Sequence, residues 1–423
     1  MPRPTITLCM IVKDEEHVIE RCLESVYPYI DRYDITDTGS TDKTKEIIKS
    51  FFEKKGIPGD VHEIEWLGFG KSRTKALRNC DGKADYAWMI DADDSLEGDF
   101  SECIKFIEKT RFSSYSLRIG RGKNFTWWRN QIFRLEDQWR YVGVLHEYAD
   151  CDDRENKQMA QMPGDYLIHA RTEGARNVGI TPQEKYLKDA KTLEDALLNP
   201  DSPNYEPTND RYHFYLAQSY FDAGEYKEAK EWYGKRAKLG GWDEEVFYSI
   251  YRVGICSGLL EEPWNETLMH FMMAWDARPW RAEPLHQISR VFRLNGKPRL
   301  AYLYAKQAAK IPFPVRDILF LASDVYDWMC LDELAATAFY ANEMQEGLDA
   351  CNKLLSLPKD KIPESEIERW KTNREQYIQA IRNQEQAIKE HKKAQKEMNE
   401  KYGYGEKVEN NTPKKKYKKR KKK

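Results

Sequence analysis

The spacing of apolar residues changes once along this chain, near residue 185, and that change limits the folds open to it. Before it, short apolar runs alternate with segments of helical spacing. Thr5 to Val12 is apolar nearly throughout, as a strand covered on both faces would be. Val18, Ile19, Cys22, Leu23, Val26 and Ile30 then recur at helical spacing, ending near Pro28. A short extended piece, Tyr33 to Thr36, precedes a helix carrying Thr44, Ile47, Ile48, Phe51 and Phe52, with Thr41 or Asp42 as its cap. Val61 to Trp66 reads as a third strand, Ser72 to Asn79 as a helix, and Ala84 to Ile90 as a fourth strand. Strands alternating with single helices predict an α/β domain with a mostly parallel sheet and right-handed crossovers. Such sheets bind ligands beyond the carboxyl ends of their strands. Asp14, Asp37 and Asp91 all fall at such ends.

After residue 185 only helical spacing remains. Tyr212 to Tyr220 is followed by Gly224 and then by Tyr226 to Ala229. Gly258 follows another aromatic helix, 34 residues later, and Gly296 to Ala301 repeats the step from Gly224 to Ala229. Gly347 precedes Ala350 in a further helix. A glycine between paired helices at a period near 34 resembles tetratricopeptide repeats, here with uneven spacing. These patterns predict an α/β domain over 1–180, an all-α helical-repeat domain over 185–360, a charged solvent-exposed helix over 361–403 and a disordered basic tail over 404–423.

With 423 residues the chain is long enough for two cores. No run of 18 apolar residues occurs, so no transmembrane helix is expected, and the N-terminus reads as a strand rather than a signal peptide. The eight cysteines form no Cys-x-x-Cys pair and mostly lie in apolar segments. Buried free thiols in a reducing, cytoplasmic setting are therefore expected. The net charge of −2 combines nine positive charges in residues 414–423 with −11 on residues 1–413. An acidic body does not suit nucleic-acid binding through the folded face, and the tail alone keeps that partner open, beside an anionic surface or simple solubility.

Asp91-Ala92-Asp93 is the residue group with the clearest chemistry. Two carboxylates one residue apart at a strand end can hold a hard divalent cation, which can in turn hold a diphosphate. Two further blocks precede it: Ile11 to Glu16 (IVKDEE) and Asp37 to Asp42 (DTGSTD). The three blocks, in this order and spacing, resemble the nucleotide-sugar-binding domain of the inverting GT-A glycosyltransferases of family 2, over roughly residues 5–175. The resemblance implies a Rossmann-like GT-A fold and a nucleotide diphosphate sugar, UDP- or GDP-linked, as donor. It implies Mn²⁺ or Mg²⁺ as cofactor, with Asp93 on the metal and Asp91 toward the ribose or a metal-bound water. By the same resemblance Asp37 reads the base and Asp14 belongs to the donor site. Asp14 stands where the family has asparagine. Arg73 is assigned to the base or the diphosphate, although Thr74 follows it where the family has asparagine. The repeats resemble those fused behind such enzymes.

Each assignment has a plainer alternative. Asp37 can shape its turn through an Asx-type bond. Arg73 can be a helix-surface cation, Asp94 can cap the turn at Ser95, and Trp127, Trp128 and Trp139 can pack in a core rather than against a sugar ring. An inverting transfer needs a base to take the acceptor's proton. Arg129 to Arg134, followed by Trp139 to Glu147, resembles the family segment ending in a His-Glu pair, which implies Glu147 as base with His146 as the other candidate. His169, ending an apolar run, is a third candidate metal ligand or a structural histidine. Two functions follow from the sequence. One is a metal-dependent hexosyltransferase acting on a glycan, protein or lipid-linked acceptor, with a protein partner in the repeat groove. The other is a non-catalytic nucleotide-binding scaffold that recruits a partner through its repeats.

Overall fold

The computed structural model describes residues 3–120, 126–171, 173–174, 179–359 and 362–402. The expected disordered tail lies outside the described residues. The chain divides into two units, Met1–Leu260 and Glu261–Lys423.

The first unit is built on β1 (Ile6–Val12), α1 (Ile19–Val26), β2 (Arg32–Asp37), α2 (Thr44–Lys55), β3 (Gly59–Glu63), α3 (Phe69–Asn79) and β4 (Tyr86–Met89). β5 (Ser95–Gly98), α4 (Ser101–Thr110), β6 (Ser114–Gly120), β7 (Thr126–Arg134), β8 (Arg140–Val142), β9 (Tyr148–Asp150), β10 (Met159–Gln161) and β11 (Tyr166–His169) follow. One sheet runs in the order β3-β2-β1-β4-β7-β6-β11-β5, with β10 beside β6, and β8 and β9 form a separate hairpin.

β1 pairs in parallel with β2 on one side and β4 on the other, and β2 pairs in parallel with β3. The chain therefore winds outward from β1 to β3 and then returns to the far side of β1. That reversal opens a crevice at the carboxyl ends of β1 and β4. The expected parallel sheet is present up to β4. Beyond it the sheet is mixed, because β6 and β7 join as an antiparallel hairpin instead of through a crossover helix. β11 is parallel to β6 and antiparallel to β5.

Side chains alternate across β1. Ile6, Leu8, Met10 and Val12 pack with Cys22, Leu23 and Phe52 of α1 and α2, while Cys9 faces Ala76, Leu77 and Trp139 on the other side. Trp139 is thus core, with its indole N–H donating to Ser113 Oγ at 3.3 Å.

Helices α5 (Pro182–Leu198), α6 (Asp210–Asp222), α7 (Tyr226–Lys238) and α8 (Asp243–Leu259) complete the first unit, each packed on the next. The boundary expected near 180–185 falls inside this unit. Thr181 and Glu184 form a capping box at the start of α5. Gly224 turns the chain between α6 and α7 at φ +86°, a conformation that favours glycine.

The second unit holds α9 (Trp264–Ala277), α10 (Glu283–Leu294), α11 (Pro298–Ala308), α12 (Cys330–Thr337), α13 (Met344–Ser356) and α14 (Glu364–Tyr402). Gly296 joins α10 to α11 as Gly224 joins α6 to α7. Gly258 differs, lying in the last turn of α8. The expected exposed helix is α14, and it departs from expectation at Trp370 and Tyr377. Both are buried in the second unit's core and anchor its first half. All eight cysteines are buried free thiols. Among the described residues no helix is long and apolar enough to cross a membrane.

Candidate active site

Three acidic loops meet where β1, β2 and β4 end. Asp14, at φ +55°, accepts Thr41 N–H at 2.7 Å on Oδ1, and its own N–H donates to Ser40 Oγ at 3.0 Å. Glu16 and Asp42 bind across the same gap. The first two sequence blocks therefore form one rim. Asp37 is fully buried. Its Oδ1 accepts the N–H groups of Gly39 and Ser40, both at 2.9 Å, so it does shape the turn. Its Oδ2 is buried with no hydrogen-bond partner. One carboxylate thus fixes the loop and keeps an acceptor in reserve.

The acidic triplet is flanked by two arginines. Arg73 Nη2 lies 2.7 Å from Asp91 Oδ1, and Arg129 Nη2 lies 3.3 Å from Asp91 Oδ2. Burial alone would raise the Asp91 carboxyl; the two guanidiniums overcome it and hold the group down at about 2. On its other side Arg73 Nε faces Glu147 Oε1 at 3.0 Å. One guanidinium, only 12% exposed, therefore ties the triplet to the candidate base. Arg73 is not a surface cation. Thr74 holds the same corner: its hydroxyl donates to the Gly70 carbonyl and accepts Tyr141 N–H, each at 2.8 Å. Gly70 itself abuts the Gly143 carbonyl, where a Cβ would not fit.

Asp94 is buried rather than a surface cap. Its Oδ2 lies 3.4 Å from Arg129 Nη2, and its Oδ1 accepts Arg171 N–H. Burial first, and then the charge of Asp91, pushes its carboxyl up to about 7. In the sequence Arg129 opens the run Arg129–Arg134 of the segment that resembles the family, with no role assigned to it. The β6–β7 register slips here, Tyr115 pairing with Ile132 and Ser116 with Asn130, so Gln131 stands outside the alternation and no simple period marks Arg129.

Asp93 has a different environment. Its Oδ2 accepts Gly174 N–H at 3.0 Å, and among the described residues it has no ion pair. Burial raises its carboxyl above the ordinary range, and Asp91 adds to this against the Gly174 hydrogen bond. A Cβ on Gly174 would stand 3.2 Å from both Asp93 Oδ2 and Glu15 Oε1, so two carboxylates approach one point. This donor set fits a hard divalent cation, with Asp93 free for it and Asp91 engaged by arginine. His169 is directed elsewhere, with Nδ1 2.7 Å from Glu97 Oε1. Among the described residues one group of three close metal-type ligands occurs, Asp34, Asp60 and His62, and it includes none of Asp91, Asp93 and His169. Lys83 Nζ lies 2.6 Å from Asp34, and 3.3 Å from both Asp60 and His62, so an ammonium already fills that cluster.

The segment carrying His146 and Glu147 is braced by α6. Val144 N–H donates to Tyr212 Oη and Arg211 Nη2 donates to the His146 carbonyl, both at 3.2 Å. The His146 ring stacks on Tyr215, with centroids 3.8 Å apart and planes 9° apart. His146 sits at φ +51°. Its ring packs on a helix, while Glu147 faces Arg73. A cavity of about 480 Å³ lies beside this segment, lined among others by Gly143, Tyr148, Asp210, Arg211 and Trp242. The contribution of α6 was hidden in the sequence, where Tyr212 and Tyr215 read only as repeat-helix aromatics.

Residues 7–160 match the family model "Glycosyl transferase family 2". Residues 7–160 therefore carry a domain of that family, and an all-helical array follows it. The prophage-derived glycosyltransferase SunS of Bacillus subtilis is 23% identical over 222 residues, 51% of this chain and 49% of that protein. A TPR repeat-containing protein of Synechococcus elongatus is 34% identical over 92 residues, 22% of this chain and 21% of that protein. The chain thus spans half or less of these relatives' lengths. Among solved structures, S. aureus TarS aligns with a TM-score of 0.35 at 16% identity, covering 60% of this chain and 52% of that one.

Proposed function

We propose that this protein is a glycosyltransferase moving a sugar, with inversion, from a UDP- or GDP-sugar to an acceptor that attacks beside Glu147, in a reaction dependent on Mn²⁺ or Mg²⁺. The observation that carries the proposal is the partly buried ion-pair chain Asp91–Arg73–Glu147. Through it a diphosphate site and a proton acceptor become parts of one device. Asp37 Oδ2 is the acceptor that would receive an N–H from the nucleotide base. Asp14 holds the rim on which that base rests. Arg73 aims the Glu147 carboxylate, which takes the acceptor's proton as its oxygen attacks the anomeric carbon. Asp93 would hold a divalent cation, which would supply Lewis-acid stabilisation of the charge on the departing nucleotide. Attack opposite the leaving group inverts the configuration. The acceptor class, whether glycan, protein or lipid-linked, is open, and the helical repeats are suited to presenting it.

The test is slow hydrolysis of UDP- and GDP-sugars with Mn²⁺, water standing in for the acceptor. Asp93→Ala should lose metal-dependent turnover by about a hundredfold or more while melting cooperatively. Full turnover in that variant, or a folded wild-type protein inert toward every common donor, would overturn the enzyme reading in favour of the scaffold.

A further inference from the structure

The cavity of about 480 Å³ beside the His146–Glu147 segment lies wholly within the first unit, where that segment meets α6 and α8. Its size falls in the range of small-ligand sites, about 300–1,000 Å³. Two aromatic residues of its lining stay open: Tyr148 is 40% exposed and Trp242 is 37% exposed. Tyr148 also lines a second cavity, of about 200 Å³, which Arg73 and Glu147 line as well. The two cavities therefore share a wall residue, and a ligand seated in the larger one meets the candidate base just past Tyr148.

Charge narrows the ligand. Glu206, Asp210 and Glu245 line the larger cavity together with Arg211. Glu245 is held by Arg236 at 2.9 Å and by Arg211 at 3.5 Å, and Asp210 lies 3.4 Å from Arg236. Three carboxylates thus face two guanidiniums, and a phosphate-bearing ligand would enter against excess negative charge. A cationic ligand suits the cavity no better. Arg211 already stands over the Tyr148 ring, 5.3 Å from its centroid, and would repel a second cation there. Neutral hydroxyls meet neither obstacle. They can donate to Glu206 or Asp210 and accept from Thr208 or Arg211, while the C–H face of a sugar ring packs on an exposed aromatic.

We propose that this cavity is the acceptor site and that its ligand is a neutral, hydroxyl-rich saccharide packed on Trp242 and Tyr148. Its attacking hydroxyl reaches Glu147 past Tyr148. The hydroxyl oxygen bonds to the anomeric carbon as the bond from that carbon to the diphosphate breaks; the proton goes to Glu147 and the nucleoside diphosphate leaves. The inference rests on the glycosyltransferase reading and adds the class of acceptor.

The experiment screens the full chain against an array of neutral oligosaccharides, phosphorylated oligosaccharides and lysine-rich peptides, then titrates the neutral oligosaccharide bound best. Neutral oligosaccharides should be preferred. Trp242→Ala and Tyr148→Ala should each weaken binding about tenfold or more, and Trp242→Phe should restore most of it. Trp242 precedes α8 without capping it through its side chain, so Trp242→Ala removes no cap and should melt cooperatively. Preference for the phosphorylated ligands or the peptides, or unchanged affinity in either alanine variant, would overturn the proposal. Binding of UDP and GDP with Mn²⁺ is measured alongside. A wild type that binds a nucleotide but no oligosaccharide sinks this proposal alone. One that binds oligosaccharide but neither nucleotide sinks the donor reading, and the acceptor assignment with it.

Discussion

Tyr215 lies outside the sheet domain, yet its replacement should slow the chemistry. The ring lies flat on His146, and Arg211 holds the His146 carbonyl. His146 adopts a left-handed backbone that costs a non-glycine residue about 1–2 kcal/mol. A stacked aromatic pair returns about 1 kcal/mol and a hydrogen bond about 1 kcal/mol more, so the two together just hold the segment. In Tyr215→Ala the first contribution disappears. A loss of about 1 kcal/mol shifts the population of the braced conformer about fivefold. Glu147 follows His146 directly, so kcat for donor hydrolysis should fall about fivefold. The donor KM should stay within about twofold, because Asp37 and Asp93 are untouched. Tyr215→Phe keeps the ring and should behave as wild type. Initial-rate kinetics, with amide exchange at 143–147 as a readout independent of activity, would test this. Faster exchange with an unchanged kcat would refute the argument, since the segment's position would then not matter to the reaction.

Other predictions concern stability. Burial would raise Asp137, but Arg134, Lys157 and Ser113 hold it down at about 2. Its stabilisation is therefore full above about 3.8 and lost as pH falls toward 2, so Asp137→Asn should cost about 2 kcal/mol at pH 7 and nothing near pH 2 in urea unfolding. His286 is lowered by burial, assisted by Arg290 and Arg293 and opposed by Glu333 and Asp332. The unfolded chain then takes up its proton first, so stability should fall as pH drops below 6.5, and His286→Leu should remove that slope between pH 7 and pH 5. Asp91→Asn strips two arginines of a shared partner and should cost about 2–3 kcal/mol in EDTA. Asp93→Asn relieves a crowded carboxyl and should be neutral or stabilising, although both variants should lose turnover.

The parts of the molecule that follow a period were the parts legible in the sequence. The strands up to β4 and the acidic loops at their ends follow from apolar runs broken by helical spacing. The mixed half of the sheet does not, because nothing local distinguishes the strands of a hairpin from those of a crossover. The same limit applies to the site. Asp14, Asp37 and Asp91 are found by their place after strands, and Glu147 by its resemblance to a family segment. Arg129 and Gln131 depend on a register slip between β6 and β7, and Arg211, Tyr212 and Tyr215 depend on where a helix some 65 residues after Glu147 comes to rest. Side chains gathered from separate elements leave no spacing to read. His169 shows the converse: its place at a strand end suggested a ligand, but the antiparallel partner strand supplies Glu97 as its neighbour.

The distribution of charge explains why the two aspartates of one motif should do different work. Arg73 serves Asp91 and Glu147 together, and Arg129 serves Asp91 and Asp94. Both cations are fixed by two anions each, so neither is free to neutralise an incoming diphosphate without releasing a carboxylate. Asp94 meets the shortage by holding its proton to about 7, and Asp93 is left without a cation among the described residues. A diphosphate entering alone would add negative charge to a site already short of positive charge, at a cost that rises as water is excluded. Entering with a divalent cation, it brings charge that Asp93 and Glu15 are placed to meet. On the proposed function the arginines would hold the site together, and an ion would arrive with the substrate. On this reasoning nucleotide and metal should bind with strong positive coupling, each weak alone. Independent binding of the two would mean that the arginines, not a cation, carry the diphosphate.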